Sequence, residues 1–346
     1  MKKAVTIKDI AEQLNLSRNT VAKALNGQYV PEKTRELVLN KAQELNYKSL
    51  NIRHVEIGAK TYRILLVAGK PLNNMNYFVP LVQGIENYCF ERNYGFFQHT
   101  YNVNRTPFSG FSDYVKELHP DGIVAIECFD RNFIGKLLNL GKPICFIDFT
   151  AYDMPFNKRY DIISTNDEKA VCDMVKLLIN KYAANSFTFV GDRRHCLSFH
   201  ERYIGMLKGI ISLKNEHSKK DDILCNDESF DYGNAEAIKT EILKLKYRPD
   251  CFICCNDFVA RNVCNALKSL NVRIPEDAMV VGFDNVSEAT AFKPGISTFS
   301  VNKEFLGIET MRTLIHRIEN PNTPSRTITV STDMILREST DRLPRE

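Results

Sequence analysis

The sequence predicts an α/β protein: a small all-helical head followed by a larger body of parallel sheets with helices on both faces. Three observations carry this expectation. The first fifty residues hold three short amphipathic stretches, with capping residues and a tight break between the first two. From residue 62 onward, wholly apolar runs alternate with amphipathic helical stretches, the pattern of strands buried on both faces and joined by crossover helices. At 346 residues the chain exceeds one ordinary core, so two or three domains are expected.

Helix 1 of the head starts at Thr6, and Asp9 three residues on completes a capping box. Ile7, Ile10, Ala11 and Leu14 share one face. Asn15 and Leu16 break the chain, and Ser17 caps helix 2. Val21, Ala24 and Leu25 turn inward there, leaving Arg18, Asn19 and Lys23 outward; Gly27 stops the helix. Pro31 opens helix 3, whose apolar stripe is Leu37, Val38, Ala42 and Leu45. Three short helices on one core make a minimal helix-turn-helix domain. A three-helix bundle with a merely solvated basic face is the bland alternative. The charge distribution weighs against it. The net charge of +4 lies wholly in residues 1–50, which hold nine basic and five acidic side chains, while the other 296 residues sum to zero. That is where phosphate neutralisation needs it.

Hydrophobic residues make up 44% of the chain, and no run of eighteen is uninterruptedly apolar, so no membrane span is expected. The opening MKKAV has the basic start of an export signal. Thr6, Lys8, Asp9, Glu12 and Gln13 then interrupt the apolar core such a signal needs, which points to a cytoplasmic protein. Of the ten cysteines only Cys251, Cys254 and Cys255 cluster, inside an apolar run without zinc spacing. They are expected to pack as small buried hydrophobes, and no metal or cofactor is expected.

In the body, the apolar runs 62–69, 121–128, 142–149, 161–165, 186–192, 251–257 and 278–284 read as strands. Val79–Asn93, Asp167–Lys181, Arg202–Leu213, Ala235–Lys246 and Val259–Leu270 read as helices between them. Several strands end in a polar residue: Asp148, Asp192, Asn256–Asp257 and Asp284. Each alone reads equally well as a helix cap. Together they suggest a polar-lined cleft beyond the carboxyl ends of the strands.

Two segments, TIKDIAEQLNLSRNTVAKALNG and KTRELVLNKAQELNYK, resemble the headpiece of the lactose-repressor (LacI/GalR) family of bacterial transcription regulators. The resemblance continues in order through NYFVPLVQGIENYCFERNYG, HPDGIVAI, GKPICFIDF, ERYIGMLKGI, RPDCFICCNDFVA, RIPEDAMVVGFDN, FLGIETMRTLI and ILREST. It implies a helix-turn-helix head, a hinge, and a periplasmic-binding-protein-like core of two doubly wound lobes linked by three crossovers. The implied division is a head at 1–48, a hinge at 49–61, a core at 62–340 and a tail at 341–346. Lobe one would take about 62–160 and 290–323, and lobe two about 161–289 and 324–340.

The resemblance also implies partners: a pseudopalindromic double-stranded operator, a sugar or nucleobase effector, and a second copy in a homodimer. Arg18, Asn19 and Lys23 match the base-reading positions, with arginine and lysine suited to guanine and asparagine to adenine. Thr6, Ser17, Thr20, Asn26, Tyr29 and Thr34 match positions that hold the phosphate backbone. Tyr77, Phe78, Asp148, Arg202, Asn256 and Asp284 match effector contacts, and Tyr232 falls near an aromatic one. Core packing is the competing reading of Tyr77 and Phe78. The hinge departs from the family. KSLNIRHVEIGAKTY lacks the proline and the A-x-x-L pattern, and Glu56 falls near the expected leucine. Two readings stand: a minor-groove wedge in another register, from Leu50, Ile52, Val55 or Ile57, or a basic linker using Arg53, His54, Lys60 and Arg63.

Two other classes share the scaffold, a solute-binding protein and an enzyme. The sequence lacks G-x-G-x-x-G, a P-loop and G-x-S-x-G, and its seven histidines show no metal-ligand spacing. The expected function is a ligand-responsive, sequence-specific transcription regulator, a repressor sensing a sugar.

Overall fold

The computed structural model describes residues 6–25, 30–45, 61–72, 75–101, 107–151, 159–212, 222–225, 227 and 229–341. The expected contacts Asn26 and Tyr29, and nearly all of the hinge, lie outside these residues. The chain divides near Tyr62 into two compact units.

The head holds α1 (Ile7–Leu14), α2 (Arg18–Leu25) and α3 (Glu32–Glu44). The capping box forms as expected: Thr6 accepts from the Asp9 amide, and the Asp9 carboxylate accepts from the Thr6 amide at 2.7 Å. Asn15 takes a left-handed backbone with φ 53° and closes α1, a conformation its short polar side chain tolerates. The Ser17 hydroxyl accepts from the Thr20 amide at 3.0 Å and so starts α2. Ile10, Ala11, Val21, Ala24, Val30, Val38 and Ala42 form the buried core. Leu37, expected in the stripe of α3, is 55% exposed; Val38 occupies the inward position beside it.

The body is built on two parallel sheets. One joins β1 (Arg63–Ala68), β2 (Gly95–Thr100), β3 (Gly122–Ile126), β4 (Ile144–Ile147), β5 (Asp161–Thr165) and β11 (Thr327–Val330), in the order β11-β5-β4-β3-β1-β2. The other joins β6 (Phe187–Val190), β7 (Asp222–Leu224), β8 (Cys251–Cys254) and β9 (Met279–Val281), in the order β7-β6-β8-β9. β10 (Thr298–Ser300) pairs antiparallel with β12 (Asp333–Ile335) and bridges in parallel to the end of β9. The crossover helices are α4 (Met75–Glu91), α5 (Phe108–Leu118), α6 (Arg131–Asn139), α7 (Asp167–Tyr182), α8 (Leu197–Ser212), α9 (Ala235–Leu243), α10 (Asp257–Ser269), α11 (Ser287–Ala291) and α12 (Lys303–Glu319). Cys251, Cys254 and Cys255 are buried in and just after β8.

The lobe limits differ from those expected. β5 and β11 were placed in lobe two, yet both hydrogen-bond into the first sheet, with Ile162 paired to Phe146 on one side and Thr327 on the other. β10, expected in lobe one, instead lies against the end of β9. The chain therefore changes lobe after β5, between β10 and α12, and after β11. The apolar content of a strand records that it is buried, not which sheet it joins.

Two contacts hold these crossings. In α4 and α12 the helices touch at glycines: a Cβ on Gly84 would sit 2.2 Å from the Glu304 carbonyl oxygen, and one on Gly307 2.2 Å from that of Leu81. At the amino end of β5, the buried Asp161 carboxylate takes a fork from Arg317 of α12, Nε at 3.0 Å and Nη2 at 2.6 Å, and accepts from the Arg326 amide at 2.7 Å. Arg317 spends its other donors on the carbonyls of Thr323 and Pro324, so the turn leading to β11 is fixed too. Asp161→Asn leaves the Arg317 cation buried without its counter-charge. A stability loss of about 3–5 kcal/mol is expected, read as a lower urea midpoint of the full chain. An unchanged midpoint would mean that the Thr323 and Pro324 carbonyls suffice to hold Arg317.

Candidate functional site

Two groups of side chains stand out, one in each unit. In the head, Arg18, Asn19 and Lys23 are exposed along α2. Among the described residues their side chains make no hydrogen bond or ion pair. The expected backbone-holding residues also take part in the fold. Thr6 and Asp9 cap α1, the Ser17 and Thr20 hydroxyls lie 2.8 Å apart, and the Thr34 amide donates to the Pro31 carbonyl at 2.9 Å.

In the body, a cavity of about 740 Å³ opens at the carboxyl ends of β1, β3, β4, β8 and β9. Tyr77, Phe78, Asp148, Arg202, Asn256 and Asp284 all line it, although they come from distant parts of the sequence. Tyr232 does not. Its hydroxyl donates to the carbonyls of Cys225 and Asp227, and its own carbonyl accepts from Asn262 Nδ2 at 2.9 Å. Its ring packs on Phe230. It closes the turn ahead of α9, and a marker based on aromatic residue type cannot tell such a plug from a lining residue.

Each polar lining group also has a structural duty. Asp148 follows β4 in a left-handed conformation with φ 59°. Its Oδ1 accepts from the amides of Phe149 at 2.7 Å and Ser198 at 3.1 Å, and its Oδ2 from the Ser198 hydroxyl at 2.7 Å. An acid ending one strand thus caps α8 of the other lobe. Asn256 caps α10, its Oδ1 accepting from the Val259 amide at 3.0 Å, while its amide donors remain beside the cavity. Asp257 is structural: buried, it accepts from the Thr298 hydroxyl at 2.7 Å and the Val286 amide at 3.0 Å.

Arg202 is 4% exposed and held between two acids and a carbonyl. Nε lies 3.3 Å from Asp167, Nη2 lies 3.7 Å from Asp284, and Nη1 donates to the Cys255 carbonyl. The guanidinium covers the Phe283 ring with 3.7 Å to the centroid. The Asp167 contact is an ion pair without hydrogen-bond alignment. Burial works against the charge, but Asp167 and Asp284 outweigh it and keep Arg202 ionised. The acids respond in the opposite sense. Burial pushes Asp284 up to about 7, with Arg202 only partly offsetting it. Burial, then the nearby Asp167 and Asp148 carboxylates, raises Glu201 to about 7 as well. Burial also raises Asp167 and the Tyr77 phenol.

Several lining residues were not anticipated. Glu127, ion-paired with Lys70, ends β3 as Asp148 ends β4, so the strand-end signal was present and applies here too. Phe129, His195, Ser198, Phe199 and Phe258 lie on loops and helix starts, where periodicity carries no signal. Lys303, at the start of α12, is buried beneath the cavity and donates to the Asp284 carbonyl at 2.5 Å.

A family model described as bacterial regulatory proteins, lacI family, matches residues 6–49. One described as a periplasmic binding protein-like domain matches residues 180–340. The head is thus a lacI-family DNA-binding domain, and the body carries a periplasmic binding protein-like domain. Similar relatives include the HTH-type transcriptional repressor PurR of Mannheimia succiniciproducens, 23% identical and covering 98% of this chain and 99% of the relative. The ribose operon repressor of Haemophilus influenzae is 26% identical over 96% of this chain and 98% of its own length. Among solved structures, a complex of the transcriptional regulator CelR with cellobiose has a TM-score of 0.69 at 20% identity, covering 97% of this chain and 99% of that one. The lac repressor dimer bound to operator and the anti-inducer ONPF gives 0.66 at 17% identity, over 98% and 99%. With these two domains the chain is a DNA-binding transcriptional regulator with an effector-binding body, not an enzyme. Among the described residues no helix is long and apolar enough to cross a membrane.

The raised acids give the ligand-free body a defined pH response. Asp284 titrates near 7 when folded against an ordinary value of 3.8, so between these limits the folded chain holds a proton that the unfolded chain has released. The stability this lends is complete below about pH 4 and is lost as pH rises to about 7. Urea titrations should therefore show wild type losing stability relative to Asp284→Asn across that window, with the difference level above it. A difference constant from pH 4 to 7 would place Asp284 at its ordinary value.

Proposed function

We propose that the protein is a homodimeric repressor whose two heads read the half-sites of a pseudopalindromic operator, and whose cleft binds a small hydroxyl-rich metabolite, a sugar in the first instance. The convergence of Phe78, Asp148, Asn256 and Asp284 on one cavity carries this reading. Aromatic faces stack on the apolar side of a sugar ring, while carboxylates and an amide meet its hydroxyls. Two of the names agree with it: a ribose operon repressor, and a regulator solved with cellobiose. A nucleobase is the second candidate, because the same aromatic faces stack on a flat heterocycle and Asp284 accepts from a ring N–H.

In the head, Arg18, Asn19 and Lys23 are positioned to read bases in the major groove. Thr6, Ser17, Thr20 and Thr34, with Asn26 and Tyr29, hold the backbone and set the register. Effector bound between the lobes would favour one arrangement of the body over another, and its differential affinity for the two arrangements fixes the size of the response.

Fluorescence anisotropy on operator duplexes tests the reading head. Arg18→Ala should cost about 1–3 kcal/mol on the preferred sequence and relax selectivity at one base pair, while Lys-to-phosphate contacts keep affinity falling with salt. Equal weakening on every duplex would remove base reading from Arg18.

A further inference from the structure

The charge pattern of the cleft narrows its ligand beyond a sugar. We propose that the cleft selects a hydroxyl-rich ligand bearing an amino group and rejects phosphorylated or carboxylated ones. This rests on reading the cavity as the effector site.

The Arg202, Lys70 and Lys303 cations at the cavity each already face a carboxylate or a carbonyl. Arg202 is shared between Asp167, Asp284 and the Cys255 carbonyl, with its face against Phe283. Lys70 is ion-paired with Glu127. Lys303 gives its ammonium to the carbonyls of Asp284 and Val301, at 2.5 and 3.4 Å. A helix amino terminus is the other common anion site; α4 also begins at the cavity, and in α8 and α10 one amide facing it is already taken. The Ser198 amide of α8 is bound by Asp148, and the Val259 amide of α10 by Asn256. An incoming phosphate engaging these groups would have to break one of these contacts and then sit among Glu127, Asp148 and Asp284.

Acceptors, in contrast, are in excess. Among the described residues the Asp284 carboxylate accepts no hydrogen bond, and Asp148 Oδ2 takes only the Ser198 hydroxyl. Asp167 adds a fourth carboxylate behind Arg202. The upward shifts of Asp284, Asp167 and Glu201 have burial as their main cause and record the neighbouring carboxylates as well. An ammonium supplies three donors and a positive charge, which matches this surplus. A neutral hydroxyl supplies one donor and leaves the like charges facing each other.

The test is a calorimetric titration of the full-length protein with matched series: glucose, glucosamine and glucose phosphate; cellobiose and the glucosamine disaccharide; adenosine, its amino-deoxy analogue and its monophosphate. In the series that binds, the amino member should be about tenfold tighter than the neutral one, the phosphorylated member should show no saturable binding, and Asp284→Asn should erase the amino preference. A phosphorylated member binding as tightly as its neutral counterpart would overturn the inference while leaving the effector reading intact. So would a neutral member outcompeting its amino partner. If no member of any series binds while operator affinity is normal, the effector reading itself falls, and the inference with it.

Discussion

The cleft depends on one buried arginine. Arg202 joins α7 through Asp167, the end of β8 through the Cys255 carbonyl, and the segment after β9 through Asp284. Taking a guanidinium and two carboxylates out of water is expensive, and an apolar core of the same volume is often as stable. What the ion cluster adds is position. Arg202 has one hydrogen-bonded partner, the Cys255 carbonyl, and ion pairs to two further elements, so it ties the ends of β8 and β9 to α7. Those ends carry Asn256 and Asp284. The cost shows in the protonation of the site, where the second acid on the same cation is held near neutrality instead of fully ionised.

A second constraint follows from the topology. Strands in doubly wound sheets present their carboxyl ends to the ligand, and the helices that follow them present unfilled amide groups there. This chain fills those amides from within. Asp148 crosses from β4 to cap α8, and Asn256 caps the helix it precedes. The same side chains that face the cavity therefore also hold the elements that shape it. A ligand engaging Asp148 touches the link between the two lobes directly, and this gives binding a physical route into the arrangement of the body. At the opposite end of β5, Asp161 and Arg317 hold the crossing chains, well separated from the ligand chemistry by the length of the sheet.

How much of this was legible depended on whether a feature is local. The capping box at Thr6 and Asp9, the break at Asn15 and the Ser17 cap are set by residues three or four apart, and the structure has them as expected. The buried strands announced themselves by unbroken apolar runs. Sheet membership did not, since β5 looks the same whichever ladder it completes; its place is fixed by Asp161 meeting Arg317, 156 residues away. Tyr232 and Phe78 are both aromatic residues at family-like positions, yet one ties down a turn and the other lines the cavity. Glu127 was legible in principle, because it ends a strand as Asp148 does. Lys303 was not, because a lysine at the start of a helix is ordinarily solvated and opposes the helix dipole. Only the fold brings it under Asp284.

The head separates two tasks that the sequence places side by side. Thr6, Asp9, Ser17 and Thr20 are committed to capping, so replacing them changes the helices themselves. Arg18, Asn19 and Lys23 sit between them in sequence but are free of side-chain hydrogen bonds and ion pairs among the described residues. Their identities can change without cost to the buried apolar core formed by Ile10, Val21, Val38 and their neighbours. A domain this small has little stability to spare, so a reading surface that also held the fold together could not be varied. With the readers outside the capping network, new base preferences can arise by substitution at three positions while the turn that aims them stays the same.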